Sequence, residues 1–521
     1  MSRPHLRRLG RLAPLALATA LVLSGCAADS GSPATDDASP QPGGTLTFGR
    51  VASVTSFDLN NEITANNAFA IDKVFEPLVA FDSTGTIEPW LASDYAISDD
   101  GLTYTFTLRD GVTFSDGTAV TPADVVFSLQ RHRQVEGPLP LEAPITDIAE
   151  GTEGTVVITL SAPYTPLLSE LSGFSNGIFP ADFGGKTEQE FFAAPVGTGP
   201  FVVSAWDPAG DLTFTANKNY WQEGKPYVDE LVYKLIPDDT QLLQQLQAGQ
   251  IDAIDEVPPA NVADLQANDA TRVVTQGSWE IEQVFFNTQD PHFADVNVRQ
   301  AIAHALDRDG ITAATTFDTA QKADALIPPT IEYSAADAGY ALDHDLDAAK
   351  TALAASAYPD GFDTTLLIAS GNSQRAQEAQ IIQSALAEIG ITVEIESIDI
   401  AAFRQRFFAY DFDLMINSGQ SDAPDPDGLV SFQADPEGFS QSYWTHYTND
   451  RVTALLEEGR TTPDGDARKD IYLEIQQILA NDVPYIPLFY PSNVKASTSA
   501  VHDLTVLPNG SVRFQDAWIQ K

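Results

Sequence analysis

The residues with the most chemistry to offer in this 521-residue chain stand together between Asn417 and Gly428. The run Leu414-Met415-Ile416 reads as a buried strand and leads into Asn417-Ser418-Gly419-Gln420-Ser421-Asp422-Ala423-Pro424-Asp425-Pro426-Asp427-Gly428. That segment is short on bulk and rich in hydrogen-bonding groups, and it is read as a loop. Its carboxylates at 422, 425 and 427 suit a cation. A calcium loop needs acids at alternate positions, then a glycine and a late bidentate glutamate. Prolines stand between the acids here, so the spacing fails. The bland reading of Asp422 is a turn aspartate beside two prolines. The histidines, at 5, 132, 292, 304, 344, 446 and 502, form no close pair. His446 is the best placed as a lone ligand, but no metal and no cofactor is expected. The chain has no Gly-x-Ser-x-Gly, His-Glu-x-x-His or Walker sequence, and no two carboxylates pair as a glycosidase needs. The expectation is a binding protein, not an enzyme.

The other reactive group is Cys26, the only cysteine. Arg3, Arg7, Arg8 and Arg11 make a positive start with no acid, and Leu12 to Leu23 is apolar. Leu23-Ser24-Gly25-Cys26 resembles a bacterial lipobox. A charged start, a short apolar core and small residues at a cut site describe an export signal. The apolar run is shorter than the roughly 20 residues of a bilayer span. Residues 1–25 are therefore expected to be a signal peptide, and Cys26 a lipidated residue that anchors the chain outside the cell membrane. Residues 26–43 read as a flexible tether, small, polar and rich in Pro and Gly. With no second cysteine, the body has no disulfide and no thiolate metal site. Its 28 basic and 73 acidic residues give a net charge of −45. Such a chain repels nucleic acid and anionic headgroups, so neither is an expected partner.

Around the 417–428 segment the chain alternates helix and strand. Leu46 and Phe48, and later Tyr104, Phe106 and Leu108, alternate with threonines as strands do. Residues 69–78 read as a helix. Thr121-Pro122-Ala123-Asp124 opens another, with a cap, a proline at the first position and an acid at the positive end of the dipole. Val284-Phe285-Phe286-Asn287 reads as a buried strand. Strands at 364–368, 391–395 and 414–416 alternate with helices at 374–389 and 403–408, the first of these closed by Gly390. That βαβ rhythm predicts an open α/β sheet. Ligands of such sheets sit beyond the carboxyl ends of the strands, where the Asn417–Gly428 segment begins.

Several segments, in order, resemble one family. They are Glu76-Pro77-Leu78, Ile87-Glu88-Pro89-Trp90-Leu91-Ala92, residues 100–109, residues 111–117, Asp124-Val125-Val126-Phe127-Ser128-Leu129, Gly197-Thr198-Gly199-Pro200-Phe201, Val298-Arg299-Gln300-Ala301-Ile302 and Tyr358-Pro359-Asp360-Gly361-Phe362. Together they resemble the extracytoplasmic solute-binding proteins of the peptide/nickel/opine class, family 5, the substrate-capturing components of ABC importers. The likeness spans nearly the whole mature chain. It implies a two-lobed, periplasmic-binding-protein-like α/β fold of class II with an extra subdomain and a hinge. Lobe I would take residues 44–288 and 488–521, with the subdomain at about 86–194, and lobe II residues 289–487. The implied crossings are Phe286-Asn287-Thr288 and Pro487-Leu488-Phe489. A monomer is implied that closes on a small-molecule or peptide ligand and hands it to an ABC permease. The other readings of the same cleft are a receptor for a sensor, or a binder of oligosaccharide or metal chelate.

The resemblance also implies site residues. In peptide-binding members an aspartate three positions before an acidic-Pro pair meets the ligand's α-ammonium, and Asp422 stands three before Asp425-Pro426. The tryptophan that many members carry three positions earlier is Gly419 here, which implies a lowered wall, with Asn417 and Ser418 beside it. Arg375 matches only loosely the arginine that holds a peptide carboxylate. Phe57, Trp279, Phe432, Tyr443 and Trp444 fall in segments flanking the implied cleft. Aromatic walls supply area and cation–π contact there, although these residue types more often serve as packing.

Overall fold

Strand alternation puts Leu46 and Phe48 on a buried face, and these residues meet Leu231 and Tyr233 of a parallel neighbour, Glu230–Leu235. The computed structural model describes residues 39–521 except 62–63, 136, 340–341, 439–441 and 443–444. The signal segment, Cys26, the first part of the tether, Tyr443 and Trp444 lie outside the described residues. Thr45–Arg50 has the short strand Ala253–Ile254 on its other side, and Glu230–Leu235 continues the sheet through Leu212–Ala216 to Phe201–Trp206. A second set of strands has the βαβ order expected. Asp363–Ala369 runs parallel to both Thr392–Ile398 and Leu414–Gln420, with the helix Ser373–Ala387 as a crossover.

One strand serves both sets. Tyr485–Thr498 pairs through its first half with Glu280–Phe286 and through its second half with Thr271–Gly277. The switch occurs where Gly277 faces Ser492 and Glu282 faces Phe489. Pro491 sits in that stretch; it lacks the N–H that a ladder needs and has Ala320 of the short strand Ala320–Lys322 opposite it. The result is a two-lobed α/β fold. The change of partner falls at Gly277–Glu280 and Phe489–Ser492, and Phe286 of the expected crossing Phe286-Asn287-Thr288 ends the strand Glu280–Phe286. Glu280–Phe286 is a central strand of the second set, flanked by Leu414–Gln420 and the crossing strand. Its apolar residues announced burial but not which sheet buried them.

A separate antiparallel sheet in the order Ala92–Ile97, Thr103–Leu108, Thr155–Leu160, Ile145–Glu150 carries the helix Pro122–Gln134 on one side. That helix starts where its cap, proline and acid predict. Asp124 accepts from the Thr121 backbone (2.8 Å) and hydroxyl (2.6 Å) and also from the Ala181 N–H (2.7 Å). The expected helix at 69–78 is instead Ala65–Ile71. The carbonyls of Lys73, Val74 and Glu76 accept from Phe201, Gly199 and Ile178, so the chain there is held by other segments. Gly197 and Gly199 press on the same stretch; a Cβ would meet the Val74 carbonyl at 2.0 Å and the Lys73 carbonyl at 2.4 Å.

Candidate ligand-binding site

Asp422 projects from a short, tightly held turn. The strand before it continues to Gln420, so Asn417, Ser418, Gly419 and Gln420 are strand residues paired with Gln283, Glu282, Ile281 and Glu280, not loop. The Ser421 N–H then donates to the Trp279 carbonyl (3.2 Å), and its hydroxyl to the Ala423 carbonyl (2.7 Å). Asp425 caps the helix Pro426–Ala434 by accepting from the Asp427 N–H (2.8 Å), with Pro426 at the first helical position. Only Ser421 to Pro424 are free to turn, and Asp422 lies among them.

Two arginines fix this turn from behind. Arg468, 1% exposed, donates to both oxygens of Asp425 at 2.8 Å, to Asp464 at 2.8 Å and to the Gly459 carbonyl at 2.9 Å. Arg460 reaches Asp427 at 3.1 Å and Asp435 at 3.2 Å. The Tyr472 hydroxyl donates to the second Asp427 oxygen (3.1 Å). Bidentate and charge-assisted bonds of this kind are the strong ones. No hydrogen bond or ion pair joins Asp422 to another described residue.

The facing wall comes from the subdomain. The Asp425 N–H donates to the Ser169 hydroxyl (3.0 Å). The Thr165 N–H donates to the Arg460 carbonyl and its hydroxyl to the Thr462 carbonyl, both at 2.8 Å. Between these surfaces lies a cavity enclosing about 970 Å³, some of it open to solvent, with Asp422, Glu142, Glu170, Leu139, Phe174 and Phe432 on its wall. His132 also lines it, but its two ring nitrogens are taken by Asn176 Oδ1 (2.9 Å) and the Leu139 carbonyl (2.7 Å).

The carboxyls of this cavity are held away from their ordinary state. Asp422 is exposed where it borders the cavity, and the protein packed around it pushes its carboxyl up to about 6. Burial pushes Glu170 up to about 8; the hydrogen bond from the Tyr164 hydroxyl opposes this and the charge of Glu142 adds to it. Glu142 is raised by burial, with Arg460 opposing. Asp425 is raised by burial despite its bonds to Arg468. An empty cavity therefore holds carboxyls that gain from a cation.

The other residues expected at the site are placed elsewhere. Gly419 is buried and faces inward: a Cβ there would meet Gln433 Nε2 at 2.0 Å, so the space a tryptophan would need is already filled. Gln433, 0% exposed, is itself held by Gln283. Asn417 accepts from Arg375 (3.2 Å), which is committed to Glu282 at 2.6 and 2.9 Å. Ser418 hydrogen-bonds Glu280. Arg375, Glu280 and Glu282 border a second, polar cavity at the strand crossing, together with Lys495, which is paired to Asp255 at 2.8 Å. Trp279 is core, packed on Phe81 with ring centroids 4.7 Å apart. Phe57 is also core, edge-on to Trp206 at 5.0 Å. Trp444 lies outside the described residues. Phe432 does line the Asp422 cavity.

Sequence reasoning missed Glu142, Ser169 and Glu170. Ser169 and Asp425 are 256 residues apart, and no local pattern links them. A usable signal existed for the frame: with 28 basic residues against 73 acids, Arg460 and Arg468 just after an acid-rich segment are natural partners for it.

Comparison with known proteins adds the following. Residues 86–441 match the family "Bacterial extracellular solute-binding proteins, family 5 Middle". Heme-binding protein A of Haemophilus influenzae is 30% identical over 513 residues, which cover 91% of this chain and 93% of that protein. A probable di/tripeptide-binding protein 5 of Pseudomonas aeruginosa is 28% identical, covering 93% of this chain and 97% of that one. The solved structure of the ABC transporter-associated periplasmic binding protein DppA from Helicobacter pylori, in complex with peptide STSA, superposes with a TM-score of 0.81 at 29% identity, covering 92% of this chain and 99% of that chain.

Two predictions follow from the geometry of the turn. Gly419→Ala forces a methyl against Gln433 and costs about 1–3 kcal/mol, seen as a lower thermal midpoint. Adding Gln433→Ala recovers part of the loss; a midpoint unchanged by Gly419→Ala contradicts the packing. The second concerns pH. Between about pH 4 and 6 folded Asp422 keeps a proton that the unfolded chain has released, so this residue lowers stability as pH rises through that window. Asp422→Asn is therefore more stable than the parent at about pH 8 and indistinguishable from it below about pH 4. Equal midpoints at both pH values contradict the raised carboxyl.

Proposed function

The chain belongs to the bacterial extracellular solute-binding proteins, family 5, and from that premise we propose that it is a lipid-anchored trap whose ligand, a peptide or other amine-containing compound, is held at Asp422. Solute-binding proteins of this family act outside the cytoplasm and serve ABC importers. The observation that carries the ligand reading is the Asp422 carboxylate, open to the cavity and free of any described partner, while the acids beside it are paired to arginines. An ammonium group at Asp422 forms a charge-assisted hydrogen bond. A ligand lacking a cation leaves the carboxylate desolvated and unpaired. The di/tripeptide name of the Pseudomonas aeruginosa relative and the peptide in the Helicobacter pylori complex support an amine-bearing ligand.

Lobe I comprises residues from 44 to about 277 and the tail from about 492, and lobe II the chain between the crossings. The lobes hinge at the paired crossings and close through Thr165 and Ser169. Closing shifts the population toward the liganded form by the ligand's difference in affinity for the two states. The protein works as a monomer without chemical turnover, and the lipid on Cys26 keeps it beside its permease.

Replacing Asp422 with alanine weakens an amine ligand found by thermal-shift screening roughly 100-fold, measured by calorimetry. An unchanged affinity removes Asp422 from the site. Hydrolysis of a screened compound, with no stabilisation by any intact one, contradicts the trap itself. Cys26→Ser moves the protein from the membrane fraction to the soluble fraction; continued membrane association rules out the anchor.

A further inference from the structure

The cavity at Asp422 is acidic on both of its faces. Glu142 and Glu170 on the subdomain side each feel the charge of Asp427 on the other. Ionising all of these acids with the two surfaces joined would bring like charges together, so a cation between them favours their charged forms. The nearby guanidiniums answer this only in part. Arg460 and Arg468 do not line the cavity and are spent on Asp427, Asp435, Asp425 and Asp464. No lysine or arginine is among the described lining residues, and His132 has both ring nitrogens engaged. The stretches 62–63, 136, 340–341, 439–441 and 443–444, outside the described residues, contain no Lys, Arg or His in the sequence. Arg375, the arginine nearest in sequence to a carboxylate holder, borders the other cavity and is bound to Glu282. A ligand's free carboxylate would thus find no cation here and several anions. The remaining wall is largely carbon, from Leu139, Pro140, Leu141, Phe174 and Phe432.

We propose that this cavity selects a linear alkyl diamine or polyamine, one ammonium at Asp422 and another toward Glu142 and Glu170, with the methylene chain against the apolar wall, and that it discriminates against ligands with a free carboxylate. The proposal rests on the reading of Asp422 as the ammonium site and narrows the ligand from amines in general to dications. Each ammonium gains a charge-assisted bond, and the chain between them gains about 0.8 kcal/mol per buried methylene. Glu170, largely protonated when the cavity is empty, gives up its proton as the second ammonium arrives.

The test is calorimetric titration of the full protein with putrescine, cadaverine, spermidine, butylamine, Ala-Ala and Ala-Ala amide. The expected order is diamine or polyamine tightest, with butylamine and Ala-Ala each at least 10-fold weaker and the amide tighter than Ala-Ala. Glu170→Gln narrows the gap between diamine and butylamine at least 5-fold, and Asp422→Asn abolishes binding of both. Repeating the diamine titration near pH 7 in buffers of different ionisation enthalpy reveals release of a proton in the parent and a clearly smaller release in Glu170→Gln; equal release in the two overturns the role given to Glu170. Ala-Ala binding as tightly as the diamines, but lost in Asp422→Asn, overturns the dication proposal and leaves the amine site standing. Binding that survives Asp422→Asn overturns both. Failure of every diamine and polyamine to bind overturns the proposal.

Discussion

Arg468 holds both oxygens of Asp425 at 2.8 Å with almost none of its side chain in water, and the site depends on that pair. A buried guanidinium and carboxylate are costly to desolvate, and removing one partner from such a pair costs about 3–5 kcal/mol. The pair also sets the shape of the turn. Asp425 is at once the ligand of Arg468 and the cap of the next helix, so the four residues before it have little freedom. Arg460 does the same for Asp427 a helical step away. Because both arginines are consumed by Asp425 and Asp427, Asp422 on the same wall is left without a described partner. That carboxylate is left for a cation to pair with a charge-assisted bond.

The second constraint is the strand Tyr485–Thr498. A continuous strand shared by two sheets ties the lobes together, and its partner changes between Phe489 and Ser492, opposite the Ser278–Trp279 step. The contacts through Thr165 and Ser169 are polar, and bonds of that kind net about 1 kcal/mol each; Trp279 packed on Phe81 and Gln420 donating to the Asn509 carbonyl join the same two parts of the chain.

Much of this was legible in the sequence. The strand and helix alternation of the last third appears with element ends shifted by up to four residues, and the cap at Thr121 and stop at Gly390 fall where their residue types require. The ordered motifs identified the family, yet several turn out to be scaffold. Glu76 accepts from Trp90, Tyr220 and Trp221, and Gly197 and Gly199 allow two backbones to touch. What sequence could not carry was contact across distance. It could not say that Glu280–Phe286 pairs with Leu414–Gln420, that Gly419 makes room for Gln433, or that Glu142 and Glu170 face Asp422. Phe57 and Trp279 look like cleft aromatics by position, but are packing by environment, and environment is a property of the fold.

The central claim is that ligand is bound at Asp422 and not at the polar cavity by the strand crossing. A crystal structure of the protein purified with ligand from its own host decides between them. The account predicts an ammonium or equivalent cation at hydrogen-bonding distance, about 2.7–3.2 Å, from an Asp422 oxygen, with Thr165 and Ser169 still joined to the facing lobe. Ligand seated on Arg375 and Lys495 at the crossing, with the Asp422 carboxylate facing solvent, would contradict it.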